Sequence, residues 1–100
     1  MITIVAKSII KNGMKDKFKK LADELIVSSR KEEGCISYNL YEDINNKNAL
    51  TFIEEWKDED TIKLHNESEH FTRIVPELAK YREGNVEINL YKLVPTEEGW

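Results

Sequence analysis

Three side chains that could do chemistry lie close together in the segment EEWKDEDTIKLHNESEHF, which runs from Glu54 to Phe71. His65 is the first candidate for a general base, because imidazole titrates near neutral pH. His70 is a second candidate, and Trp56 offers a flat wall against which an aromatic substrate could stack. Each residue also has a structural alternative. His65 could be a solvated histidine on a charged helix, His70 a neutral structural histidine, and Trp56 a core or interface residue. The sequence leaves these alternatives open.

Two neighbours on a predicted strand are further candidates for substrate binding. Tyr38 and Asn39 could each form a hydrogen bond with a substrate oxygen, but successive strand residues point to opposite faces, so only one can reach a given cavity. Tyr38 is expected to face the helices that pack on this strand. Asn39 and Tyr41 are expected to point to the opposite side, towards the partner subunit of the dimer predicted below. His70 and Phe71 complete the candidate substrate-binding set.

The other ionisable residues predict no recognised catalytic motif. Glu54 and Glu55 alternate along a strand, so they cannot form a paired-carboxylate site on one face. One of them is expected to point inward and to need a partner such as Lys7 or Arg73. Cys35 is expected to be a small apolar strand residue, since no neighbouring feature would lower its pKa.

Composition excludes several classes of partner and cofactor site. Fifteen basic and nineteen acidic residues give a net charge of −4 without a basic block, which argues against nucleic acid. Cys35 is the only cysteine, so neither an intrachain disulfide nor a cysteine-based metal site is possible, which suits a cytoplasmic protein. His65 and His70 would diverge by about 140° on a continuous helix, so we expect no metal site. No apolar run approaches the roughly 20 residues that cross a bilayer.

These candidates must be positioned by elements that the hydrophobic periodicity predicts. Period-two alternation predicts strands, and a 3.6-residue period predicts helices. The predicted elements are a strand 2–10, a helix from Met14 to near Glu33, strands 35–41 and 49–56, a helix from an Asp58 cap to about Asn66, a second helical piece capped by Ser68, and a strand 86–94. Gly34 and Gly84 are expected to end helices in the left-handed conformation, and Pro76 is expected to kink or split its helix.

The order strand, helix, strand, strand, helix, strand predicts one α+β domain over residues 1–95, with a polar tail over 96–100. Right-handed crossovers would give a ferredoxin-like βαββαβ fold, with a four-stranded antiparallel sheet and the helices on one face. The strands carry apolar or aromatic residues on both faces, so the face without helices should be covered. Sheet-to-sheet homodimerisation is the simplest cover.

Three motifs then resemble one family. The runs 33–41 (EGCISYNLY), 52–56 (FIEEW) and 65–71 (HNESEHF) are similar to those of the antibiotic biosynthesis monooxygenases, and of their small quinol monooxygenase-like members in particular. The resemblance implies a dimeric α/β barrel in which each subunit keeps a cavity between its sheet and helices. His65 and Trp56 are the candidate catalytic residues, and the resemblance makes possible a reaction of a phenolic or quinol substrate with O2 without a cofactor or metal.

Other branches of the resemblance imply different activities. The haem-degrading branch uses an asparagine near the end of the first strand, a tryptophan and a histidine after the terminal aromatic. Trp56 matches that tryptophan, but this sequence has Lys7 and the run Thr72–Val75 at the other two places. Haem iron needs an axial ligand, so haem cleavage is disfavoured. A sugar-phosphate isomerase and a non-catalytic binding or stress-related domain remain as alternatives.

Overall fold

The computed structural model describes residues 1–97. Its elements are β1 Ile2–Ile10, α1 Lys15–Arg30, β2 Cys35–Asp43, β3 Asn46–Trp56, α2 Glu59–Glu67, α3 Glu69–Ala79 and β4 Arg82–Tyr91. The four strands form one antiparallel sheet in the order β2-β3-β1-β4. This arrangement confirms the α+β, ferredoxin-like fold. The predicted tail, 96–100, lies partly outside the described residues, since 98–100 are not among them.

Alternation along the strands places one set of side chains against the helices. In the β1–β3 pairing, Ile4 lies opposite Glu54 and Ser8 lies opposite Leu50, so these four share the helix-facing side. Helix α1 packs its apolar stripe onto that side. The fully buried apolar side chains include Ile10, Phe18, Ala22, Leu25, Trp56, Ile74 and Leu78.

The second helical region consists of two helices because two caps follow each other. The Asp58 carboxylate accepts a hydrogen bond from the backbone N–H of Thr61 at 2.9 Å, which begins α2. Ser68 is extended (φ −67°, ψ 155°), and its hydroxyl accepts from the N–H of Phe71 at 3.3 Å, which begins α3. Both predicted caps are confirmed. The predicted split at Pro76 is wrong, since α3 continues through Pro76 and the break lies at Ser68; the alternative, a kink at Pro76, stays a prediction.

The predicted left-handed conformation at Gly34 is also wrong. Helix α1 ends at Arg30, and Gly34 has no positive φ. A Cβ built on Gly34 would lie 2.2 Å from the Cβ of Thr61, so close packing of α2 requires this glycine. Gly84 does have a positive φ of 66°, but it lies inside β4, where the register with β1 shifts, and it ends no helix.

None of the three helices in the described residues covers the outer face of the sheet. Val5 and Ile53 pair there, and Asn39 pairs with Ile53 from the other side, so Asn39 faces away from the helices as predicted. Val5 and Ile53 are only partly exposed, whereas the Tyr41 side chain is half exposed. Within residues 1–97, no helix combines the length and the apolar character that crossing a bilayer requires.

Candidate functional site

His65 is buried, and one of its ring nitrogens has no hydrogen-bond partner within residues 1–97. Its side chain is 1 % exposed, so a solvated surface histidine is not what the structure shows. Nδ1 donates to Oε2 of Glu32 at 2.7 Å, while Nε2 has no hydrogen-bond partner in the described residues. Because a carboxylate only accepts, this contact assigns the proton to Nδ1 and leaves a lone pair on Nε2. Burial lowers the pKa of His65, and Glu32 opposes that effect only in part.

The break at Ser68 brings the second histidine to the same carboxylate. His70 Nε2 donates to Glu32 Oε2 at 2.8 Å, and the two imidazole rings lie 6.0 Å apart. The predicted divergence of His65 and His70 is therefore wrong, because it assumed one continuous helix. Glu32, His65 and His70 each offer one possible metal-ligand atom, and these three atoms lie within 4.8 Å of one another, close enough to hold a small cation. Ordinary hydrogen-bond lengths to one shared oxygen account for the cluster equally well.

Glu54 is the inward-facing acid of the pair on β3. It is 5 % exposed, and its Oε1 accepts from the indole Nε1–H of Trp56 at 2.9 Å. Burial raises the pKa of Glu54 to about 7, although the Trp56 indole and the Tyr38 hydroxyl both favour its ionised form. The predicted partners Lys7 and Arg73 are wrong: Arg73 pairs with surface acids, and the indole is the donor to Glu54.

Aromatic rings fix the position of His65 from several sides. The Trp56 ring lies 4.4 Å from the imidazole at an interplanar angle of 36°, and Tyr38 and Phe71 meet it edge-on at 5.6 and 5.0 Å. Tyr38 is buried, and burial raises its pKa well above the usual range, so its hydroxyl stays protonated. The rings therefore restrict the imidazole to one orientation.

A cavity of about 230 Å³ lies between the sheet and the helices beside this cluster. A void of about 150 Å³ suffices for benzene, so more than one ring can be accommodated. Its apolar lining includes Ile4, Phe52, Phe71, Val75, Ile88 and Leu90; its polar lining is Ser8, Tyr38, Glu54, His65, Asn66 and Arg82. Ile88 and Leu90 are 53 % and 56 % exposed, so the cavity opens along β4.

Only some of the predicted site residues line the cavity. His65, Tyr38 and Phe71 line the cavity; Trp56 is fully buried and stands behind His65, so it forms no wall for a substrate. His70 reaches the site only through Glu32, and Asn39 lies on the outer face, where its Oδ1 accepts from Arg30 at 2.7 Å. Those positions do not favour the substrate contacts predicted for Asn39 and His70.

Sequence reasoning missed Glu32, Ser8 and Arg82. Glu32 lies 33 positions from the histidine it orients, in the segment between α1 and β2, and no local pattern singles it out. Ser8 reads only as a strand residue, and Arg82 falls before the strand predicted over 86–94, although β4 begins at Arg82.

Comparison with known proteins agrees with this architecture. The family model described as antibiotic biosynthesis monooxygenase matches residues 1–77. “Putative monooxygenase YcnE” from Bacillus subtilis (strain 168) is 37 % identical over 75 residues, which are 75 % of this chain and 79 % of that protein.

Two solved structures are similar over nearly their whole length. A conserved protein from Methanosarcina mazei Go1 is 41 % identical with a TM-score of 0.90, over 91 % of this chain and 90 % of the other. A structure described as an antibiotic biosynthesis monooxygenase is 33 % identical with a TM-score of 0.90, over 95 % of this chain and 100 % of the other. On the match over residues 1–77, the chain belongs to the antibiotic biosynthesis monooxygenase family.

Proposed function

We propose that the protein is a cofactor-independent monooxygenase that oxidises a small phenolic or quinol substrate with O2. One observation carries this proposal: the buried His65 Nε2 has no hydrogen-bond partner among residues 1–97, and His65 belongs to the lining of an apolar cavity. A buried polar atom without a partner costs free energy, and a substrate hydroxyl could supply the missing partner.

Deprotonation of that hydroxyl is the first step. A substrate O–H donates to His65 Nε2, and the proton passes to the imidazole, which leaves a phenolate. Glu32 accepts the Nδ1–H and so stabilises the imidazolium that forms, while burial keeps the resting imidazole neutral and able to accept a proton.

The phenolate then reduces oxygen without a second reductant. It passes one electron to O2, and the aryloxyl radical and superoxide recombine at a ring carbon bearing hydrogen, ortho or para to the oxygen. The imidazolium returns its proton to the peroxide. The O–O bond then breaks with loss of the carbon-bound proton, so one oxygen atom remains as a carbonyl and the other leaves in water. The balance is one phenol plus O2 giving one quinone plus H2O.

Glu54 is placed to modulate the charge at the substrate oxygen. Its Oε1 lies 3.9 Å from His65 Nε2, and a pKa of about 7 leaves much of the carboxyl neutral near neutral pH. The neutral form repels a phenolate less than a carboxylate would and can donate a hydrogen bond to it. Trp56 positions Glu54 through the indole N–H.

The apolar lining favours a flat ring over a sugar phosphate, because the hydroxyl groups of a sugar phosphate would be left unpaired there.

We also propose that two copies pack through their outer sheet faces, where Val5 and Ile53 lie partly exposed. That assembly would cover the sheet face over which the described residues place no helix.

Oxygen consumption with menadiol, corrected for autoxidation, tests the catalytic proposal. His65→Gln should lower the rate about a hundredfold or more, because it removes the base while keeping a polar side chain. The matched control is Arg73→Gln, which changes an exposed residue outside the cavity lining. With ¹⁸O2, mass spectrometry should find one labelled oxygen in a hydroxylated quinone. Equal rates in wild type and His65→Gln would refute the proposal, and tight binding without product would indicate a binding protein.

A further inference from the structure

We propose that the cavity has a second, anion-binding end formed by Arg82 and Ser8, so that its ligand is a phenol carrying a carboxylate at the far end. This inference deepens the proposed function by naming a substrate class, and it rests on that function for the phenol end only. The anion-binding end stands on its own contacts.

Arg82 and Ser8 form a built donor pair in the cavity lining. Arg82 Nε donates to Ser8 Oγ at 2.8 Å, and Ser8 is 2 % exposed. Since Ser8 Oγ accepts this bond, its own proton remains available to a ligand. The two Nη groups of Arg82 make no hydrogen bond to any residue in the described range 1–97, so the end of its fork is available as well.

No acid neutralises this guanidinium among residues 1–97. Arg73 is paired with Glu24 and Glu69, whereas the side-chain hydrogen bond that Arg82 makes within the described residues goes to the neutral Ser8 hydroxyl. Burial lowers the pKa of Arg82, and no acid in the described part of the chain opposes that shift. A partly buried cation in a mainly apolar cavity lacks the compensating charge that such groups usually have, and an anionic ligand would provide it.

The separation of the two ends sets the length of the ligand. Ser8 and Ile4 lie on the same side of β1, four residues apart, which corresponds to about 13 Å. Ile4 pairs with Glu54, so the acid and the His65 base lie at one end of the cavity and the cation at the other. The Arg82 cation attracts a carboxylate to its own end of the cavity, which leaves the phenol hydroxyl near His65.

Calorimetric titration under anaerobic conditions tests this inference without turnover. The probes are 6-hydroxy-2-naphthoate and its methyl ester, which share the ring system and hydroxyl and differ in charge. Wild type should bind the acid about tenfold more tightly than the ester. Arg82→Gln should abolish that preference and leave the affinity for the ester nearly unchanged. Arg82→Lys should keep part of it, and Arg73→Gln, a matched loss of one arginine outside the cavity, should keep all of it.

Each outcome decides the inference. An absent preference in wild type overturns it, even if Arg82→Gln does not fold, and so does a preference that survives in folded Arg82→Gln. The proposed function fails separately: a carboxylate preference without oxygen consumption would leave the anion-binding end in place and remove the oxygenase. Turnover of menadiol without any carboxylate preference would keep the oxygenase and remove the anion-binding end.

Discussion

Glu54→Gln should gain stability relative to wild type as pH rises. Below the ordinary carboxyl pKa, Glu54 is protonated in both the folded and unfolded chains and the two proteins differ by a constant amount. Above that pKa, Glu54 ionises in the unfolded chain, while burial keeps its carboxyl protonated in the folded chain until about pH 7. The folded state then binds more protons, so wild-type stability falls across this interval. Glutamine does not titrate and escapes that loss.

The size of the effect follows from the pKa. A rise from 4.5 to about 7 corresponds to about 3 kcal/mol of stability, lost between about pH 4.5 and pH 7. Because Glu54 is 5 % exposed, solvent screens this cost little. The groups that face it are His65 from α2, Tyr38 from β2 and Trp56 on its own strand, with Glu32 adding negative charge behind His65. They remain in the variant, so much of their own titration cancels in the comparison.

Urea denaturation at fixed protein concentration, from about pH 4 to about pH 8, measures the difference. The free energy of unfolding of Glu54→Gln minus that of wild type should rise by about 3 kcal/mol over this range. Glu55→Gln removes one charge from the opposite face of the same strand, where Ser37 donates to the carboxylate, and so controls for net charge. A difference that stays flat, or falls as pH rises, would refute the buried, proton-binding role of Glu54.

Three further changes test the fold and the site. Gly34→Ala should cost about 1–3 kcal/mol in urea denaturation, since the new methyl meets Thr61; wild-type stability would contradict this packing. Trp56→Phe should raise the pKa of Glu54 further, because it removes the indole N–H, and should shift the stability profile to higher pH; an unmoved profile would refute that contact. Light scattering should give a molar mass of twice 11.7 kDa for wild type and a lower mass for Ile53→Lys. A monomeric wild type would contradict the sheet-face dimer.

Strand alternation predicted the frame of this molecule well. The predicted β1 coincides with the observed Ile2–Ile10, and the caps at Asp58 and Ser68 lie where the sequence suggested. These features depend on neighbouring residues, and local patterns report them directly. The hairpin strands are longer than predicted and turn at Ile44 and Asn45, because backbone pairing continues through residues that lack clear alternation.

The site depended on contacts that local patterns do not report. Two caps in series imply a break, but its consequence, the meeting of His65 and His70 at Glu32, needs the angle between α2 and α3. Gly34 illustrates a different difficulty. A left-handed helix end and a close contact with a neighbouring helix both require glycine, and one sequence cannot distinguish them.

The protonation state of the His65 imidazole tests the central claim most directly. In ¹⁵N NMR at neutral pH, assigned by comparison with His65→Gln, Nδ1 should carry the proton and Nε2 should be bare. Anaerobic addition of 2-naphthol should then shift the Nε2 resonance, as a phenol hydroxyl donates to it. A proton already resident on Nε2, or a resonance that saturating naphthol leaves unmoved, would contradict the assignment of His65 as the base of this cavity.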